Sequence, residues 1–123
     1  MNQARIAALF LLISGEENEA PFLDLINLAM YETNCMLRPG VDISDIRLGF
    51  LVAAIANYRL QQMYAARERT NVTYAGKVPK GYRNTACEYA VALVKDYMKI
   101  CDELLDLSDF VFSSFSGSEG EIK

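Results

Sequence analysis

The chain has 123 residues, of which 52% are hydrophobic and 23% charged. That size and balance describe one globular domain, residues 1–123, and exclude an intrinsically disordered polymer. Twelve Lys and Arg against sixteen Asp and Glu leave a net charge of −4 and there is no histidine, which argues against a dedicated nucleic-acid binder and removes the usual ingredient of zinc sites and nucleophile–base pairs.

Four helices are expected, in chain order. The first covers about residues 2–14, is apolar on most sides, and has Gly15 as its C-terminal stop. Arg5 followed by eight apolar residues has the flavour of a short signal sequence, but eight are too few to span a bilayer and the stretch reads as a core helix. After the acidic loop "GEENEAP", Pro21 fits the first turn of a second helix over about residues 20–37. Its apolar face carries Phe22, Leu25, Ile26, Ala29, Met30 and Leu37 at 3.6-residue spacing. "RPGVD" ends it, with Gly40 free to take positive φ and Asp42 or Ser44 capping the next helix.

The third helix, about residues 45–67, is nearly apolar from Leu48 to Ala56 and is expected to be the central, most buried element. Gly49 and the alanines at 53, 54 and 56 permit close helix approach. Residues 70–82 break the helical pattern: β-branched residues alternate with Tyr74 ahead of Gly76, which predicts a short β finger between the third and fourth helices. Asn71-Val72-Thr73 also matches a glycosylation sequon, which carries no weight in a chain with this cysteine usage. The fourth helix, about residues 84–105, has a single-face stripe of Ala86, Tyr89, Ala90, Leu93, Val94, Tyr97, Ile100, Cys101 and Leu104. Asn84 or Thr85 is expected to cap it, with Glu88 completing a capping box. Beyond it, Phe110, Phe112 and Phe115 stand within six residues ahead of a soluble "SGSEGEIK" end. That pattern predicts an extended C-terminal arm, residues 108–123, that docks on another protein. The fold class is therefore all-α: a four-helix bundle-like domain with an inserted β finger and a C-terminal arm.

No Gly-rich phosphate loop, HExxH or GxSxG is present, so neither enzyme activity nor a cofactor is expected. Asp42 and Asp45 read as helix N-terminal charges. Cys35, Cys87 and Cys101 form an odd set without CxxC spacing, read as reduced, buried thiols with no metal site. Cys87 and Cys101 lie about 21 Å apart on one helix, too far to pair within the chain.

Charge is unevenly distributed. Residues 59–83 contain six bases (Arg59, Arg67, Arg69, Lys77, Lys80, Arg83) and one acid, Glu68, while the remainder is strongly acidic. Such a two-ended molecule suits head-to-tail contact between copies, or a basic face turned to a polyanion. With no helix-turn-helix reading pattern, contact with DNA would be through phosphate charge alone. A helical body with a basic finger and an aromatic tail best fits an assembly subunit, whose heterologous contacts close into rings.

The order and content of "PFLDLINLAMYETNCMLRPGVD", "RLGFLVAAIANYRLQQMYAARERT", "TYAGKV", "YAVALVKDYMKICDELL" and "FVFSSF" resemble the small head–tail connector (adaptor, head-completion) proteins of tailed phages and prophages, over about residues 21–115. The resemblance implies a virion structural protein of the neck, synthesised and assembled in the host cytoplasm. It implies a self-assembled ring, commonly a dodecamer, between the portal protein and a tail-completion or tail-terminator protein, through which DNA passes. On this reading Arg67, Arg69, Tyr74, Lys77, Lys80 and Arg83 face the next subunit or non-specific DNA in the channel. Phe110, Phe112 and Phe115 then engage portal or tail, and no membrane is involved. The competing expectation is a small cytosolic helical adaptor or regulator acting by protein–protein contact.

Overall fold

The computed structural model describes residues 1–74 and 82–107, with side chains placed at all of these except 69–74 and 82–84. The elements are α1 (Gln3–Ser14), a 3₁₀ turn (Ala20–Phe22), α2 (Leu23–Met36), α3 (Ile46–Tyr74), α4 (Tyr82–Ile100) and a second 3₁₀ turn (Asp102–Leu104). The described chain is thus all-α. Its one β feature is an isolated antiparallel bridge between Leu37 and Leu105.

Helix boundaries follow local chemistry. Asn2 caps α1, its Oδ1 accepting from the Arg5 N–H at 3.1 Å, and Gly15 ends it at φ 81°, donating its N–H to Leu11 O at 2.9 Å. Left-handed backbone at that position is strain-free only for glycine. Gly40, at φ 82°, turns the chain between α2 and α3 in the same way. Asp45, rather than Asp42 or Ser44, stands at the head of α3, its Oδ1 accepting from the Arg47 N–H at 3.0 Å. Asp42 makes its own turn instead, accepting from the Ser44 N–H at 2.9 Å and from the Ser44 hydroxyl at 2.6 Å.

Helix α3 is the axis of the molecule and packs against each of the other three helices. Residues 51–58 are buried in unbroken succession, so it is covered on all sides over two turns, as its composition predicts. At 29 residues it is about 43 Å long, against about 18 Å for the 12 residues of α1. Contacts at matched heights give the directions. Gly49 lies beside Ile6 and Leu9, and Tyr64 beside Glu16, so α1 runs parallel to α3. Arg59 meets Glu32 while Arg67 shares a groove with Asp24, and Phe50 meets Tyr97 while Asn57 and Gln61 share a cleft with Ala86 and Ala90, so α2 and α4 run antiparallel to it. Phe10 of α1 packs on Phe22 at the head of α2, with ring centroids 5.4 Å apart. Within α2 the buried Thr33 hydroxyl is satisfied by donating to Ala29 O at 2.9 Å.

Several expectations need correction. The β finger does not begin at residue 70, because residues 70–74 continue α3 as helix. Extending an existing helix adds one hydrogen bond per residue without a new nucleus, whereas a lone hairpin is marginal. β-branched residues cost only about 0.5 kcal/mol each in a helix. Residues 75–81 of the expected finger lie outside the described residues, as does the whole arm, 108–123. Helix α4 starts at Tyr82, so Asn84 and Thr85 sit inside its first turn and do not cap it. It also ends at Ile100, the chain then tightening into the 3₁₀ turn. Its buried stripe is narrower than the spacing predicts, for Tyr89 and Ile100 are 74% and 51% exposed. Of the three free thiols only Cys101 is buried; Cys87 is half-buried and Cys35 is exposed. Cys35 follows buried Thr33 by two residues, which turns it about 200° away from the core.

Candidate interaction surfaces

The sequence placed its candidate site on basic residues around 59–83. Arg67 is exposed on α3, its guanidinium carbon 6.0 Å from the centre of the Tyr64 ring. Arg69 and Tyr74 belong to the same helix and Arg83 to the start of α4, while Lys77 and Lys80, like Phe110, Phe112 and Phe115, lie outside the described residues. Arg59 does not belong with this group. It is held against α2 by Glu32, with Nη2–Oε2 at 2.7 Å and Nε–Oε1 at 3.4 Å, and it also donates to Gln62 Oε1 at 3.1 Å. One base of the basic middle is therefore committed to tying α2 to α3.

The two ends of the bundle differ in chemistry. The lower end holds the start of α3 and the end of α4, joined through Arg47. Its guanidinium forks onto Asp45 (Nε–Oδ1 3.0 Å, Nη2–Oδ2 2.8 Å) and reaches across to Glu103 Oε2 at 2.9 Å. The Arg47 hydrogen bonds, side chain first and then backbone, hold the Asp45 carboxyl down at about 2, well below its ordinary value. The same side-chain bonds, with that to Glu103, raise the Arg47 guanidinium. Nearby, the Cys101 thiol donates to Arg47 O at 3.4 Å, and burial pushes it up to about 11, so it is neutral and unreactive at pH 7. The Leu37–Leu105 bridge adds Arg38 N–H to Leu104 O at 3.0 Å and Asp106 N–H to Met36 O at 2.6 Å. This end is latched by polar contacts that span elements far apart in sequence.

The upper half is open by comparison. Between α2 and α3 runs a groove of about 590 Å³ walled by Leu25, Leu28, Leu60, Met63 and Tyr64, with Arg67 and Asp24 at its rim. Leu28 and Met63 are 47% and 45% exposed in it. The outer face of α2 continues this apolar strip downward through Tyr31, whose hydroxyl is raised above its usual range by a hydrogen bond with Cys35. On another side, a shallower cleft of about 310 Å³ lies between α1 and α4. Its floor is the buried pair Asn57 and Gln61, joined by an amide hydrogen bond of 3.1 Å. Leu12 on α1, 78% exposed, and Tyr89 on α4, 74% exposed, are the most open large hydrophobic side chains among the described residues. A third apolar surface is at the lower end, where Ile43 and Ile46 line a hollow of about 550 Å³ beside Arg5 and Ile6.

Among the described residues no three His, Cys, Asp or Glu side chains gather as metal ligands, and no helix is long and apolar enough to cross a membrane. These surfaces are only partly legible in the sequence. Tyr89 and Ile100 resemble core because they lie at helical spacing from true core residues, and the groove needs both α2 and α3 in place to exist. A signal for Arg59 is available in principle: a base and an acid on neighbouring antiparallel helices, each set within an apolar stretch. No family model, curated protein or solved structure matches the chain.

Proposed function

We propose that the protein is a structural subunit of a tailed-phage neck, assembling with copies of itself into a ring between portal and tail through which DNA passes. The reading rests on the sequence resemblance and on one structural observation. The small all-α body carries apolar surface in two places besides the α2–α3 groove: Tyr89 at the α1–α4 cleft, with Leu12 exposed elsewhere on α1, and Ile43, Ile46 and Ile100 at the lower end. A ring built by head-to-tail contact needs two different faces on every subunit, one to give and one to receive, and a closed two-fold dimer needs only one. The basic residues Arg67, Arg69, Lys77, Lys80 and Arg83 then serve the channel or the seam between subunits.

Mass measured in solution tests this, by light scattering and native mass spectrometry from about 1 to 100 μM, followed by electron microscopy of any large species. A ring with an axial channel, lost in Leu12→Asp/Tyr89→Asp and retained on a column carrying portal protein, is the expected result. A monomer at every concentration that ignores portal protein defeats the neck reading and leaves the small helical adaptor. Salt then sorts the basic residues. DNA retention that falls steeply with salt places them at the channel, and assembly that falls with salt places them at the seam.

A further inference from the structure

The α2–α3 groove leaves Leu28 and Met63 about half exposed, and the same chain carries three phenylalanines within six residues beyond Leu107. We infer that the groove walled by Leu25, Leu28, Leu60, Met63 and Tyr64 is the seat of the same chain's residues 110–115, with Phe112 and Phe115 as its two anchors. This goes beyond the neck reading and does not depend on it. It also departs from the sequence expectation that the arm reaches another protein.

Three observations carry the inference. The first is position. The described chain ends at Leu107, just past the Leu37–Leu105 bridge at the lower end of α2. Because that bridge is antiparallel, the chain after 105 runs opposite to the chain that leaves α2 at 37 and is aimed back toward the helix rather than away from it. The second is reach. From Leu37 to Leu28 and Leu25 the α2 axis rises about 14 and 18 Å at 1.5 Å per residue. An extended chain covers at most about 3.4 Å per residue, so from Leu105, the bridge partner of Leu37, it can gain about 17 Å by Phe110, about 24 Å by Phe112 and about 34 Å by Phe115. On reach alone Phe110 can come level with Leu28 only if the chain is nearly straight, while Phe112 and Phe115 can reach Leu28, Leu25 and Met63 with slack. The third is charge. The tail is acidic on balance, Asp109, Glu119 and Glu121 against Lys123, and the exposed base at the upper rim of the groove is Arg67, on the side where residues beyond Phe115 would emerge. Asp24 is the opposing charge on the other rim.

A segment tethered this closely competes against other copies with an advantage set by the tether. Its effective concentration is on the order of 1 mM, about 100-fold above a second copy at 10 μM. That ratio decides for the chain's own tail over a neighbour's.

The test traps the contact in the full chain. On a Cys35→Ser, Cys87→Ser background, Asp24→Cys is paired with Ser114→Cys, and Glu88→Cys on the upper half of α4 replaces Asp24→Cys in a control. Under mild oxidation at 10 μM the expected product is a cross-link within one chain, about 100-fold faster than any link between chains. It is absent from the Glu88 control, abolished by Phe112→Ser/Phe115→Ser, and kept in Phe110→Ser. Equal trapping by the control, indifference to the phenylalanines, or covalent dimers in place of the internal link each overturns it. Ring formation is read separately by mass, so failure of one reading leaves the other standing or falling on its own measurement.

Discussion

The two ends of this bundle solve the same problem in opposite ways. At the lower end, where α2, α3 and α4 stop or start, exposed backbone groups are answered by Asp45, by the Leu37–Leu105 bridge and by the Arg47 fork onto Asp45 and Glu103. At the upper half, a groove lies between α2 and α3 in which Leu28 and Met63 remain half in water. A domain of this size is stabilised by a net margin of about 5–15 kcal/mol, so it has no need to close every surface. The latched end ties α2, α3 and α4 together, and the open half leaves apolar area between α2 and α3. The difference teaches that polar cross-links here hold helix ends together, while apolar area stays open both above, at Leu28 and Met63, and below, at Ile43, Ile46 and Ile100.

The comparison breaks most severely if the shared core is damaged. Leu51 is fully buried on α3 between both ends. Leu51→Ala is expected to cost about 2–5 kcal/mol and to loosen both halves together, measured by urea denaturation and by hydrogen exchange. Exchange that rises at one end only would show the halves to be separate cooperative units.

Arg47→Met is the second cut and strikes only the latch. Amide exchange at Arg38, Leu105 and Asp106 should rise while that around Leu28 and Met63 stays put. Acid unfolding carries the electrostatic signature. The Asp45 carboxyl is lowered to about 2 from 3.8, so its contribution is fully present above pH 3.8 and is lost as pH falls through about 2. Without Arg47 the carboxyl moves back toward its ordinary value, and the acid midpoint should move up with it. An unchanged midpoint would mean that the fork does not stabilise the fold.

Leu28→Gln sharpens the contrast at the open half. If the groove stands empty, this half-exposed position should tolerate the change within about 0.5 kcal/mol. If residues 110–115 cover it, the loss approaches the about 1.5–3 kcal/mol of a buried leucine, and it vanishes in a chain lacking residues 108–123. The smallest effect has the opposite sign. A Cβ added at Gly49 would sit 3.6 Å from Leu9 Cδ1 and 3.8 Å from Ile6 Cγ1, ordinary contact distances. Gly49→Ala should therefore stabilise the α1–α3 packing by about 0.5–1 kcal/mol in thermal melts, since alanine loses less backbone freedom in a helix. Destabilisation would show α1 to be closer than these distances imply.

By itself the sequence determined the helical class, the burial of α3, the stop at Gly15 and the turn at Gly40. These depend on neighbours within about four residues: apolar spacing of 3.6, a run with no polar face, and glycine where φ must be positive. Only the tertiary structure decided which stripe residues face the core. Tyr89 and Ile100 share the spacing of Ala90, Val94 and Cys101 but point past the edge of α3, because one packed neighbour covers only part of a helix's circumference. It also decided that residues 70–74 stay helical, since chain continuity with a well-packed α3 outweighs a weak local β preference. Arg47 with Glu103 and Arg59 with Glu32 join residues 56 and 27 apart in the chain. Such pairs have no local signature, because a charge finds its partner only after the helices that carry both have packed.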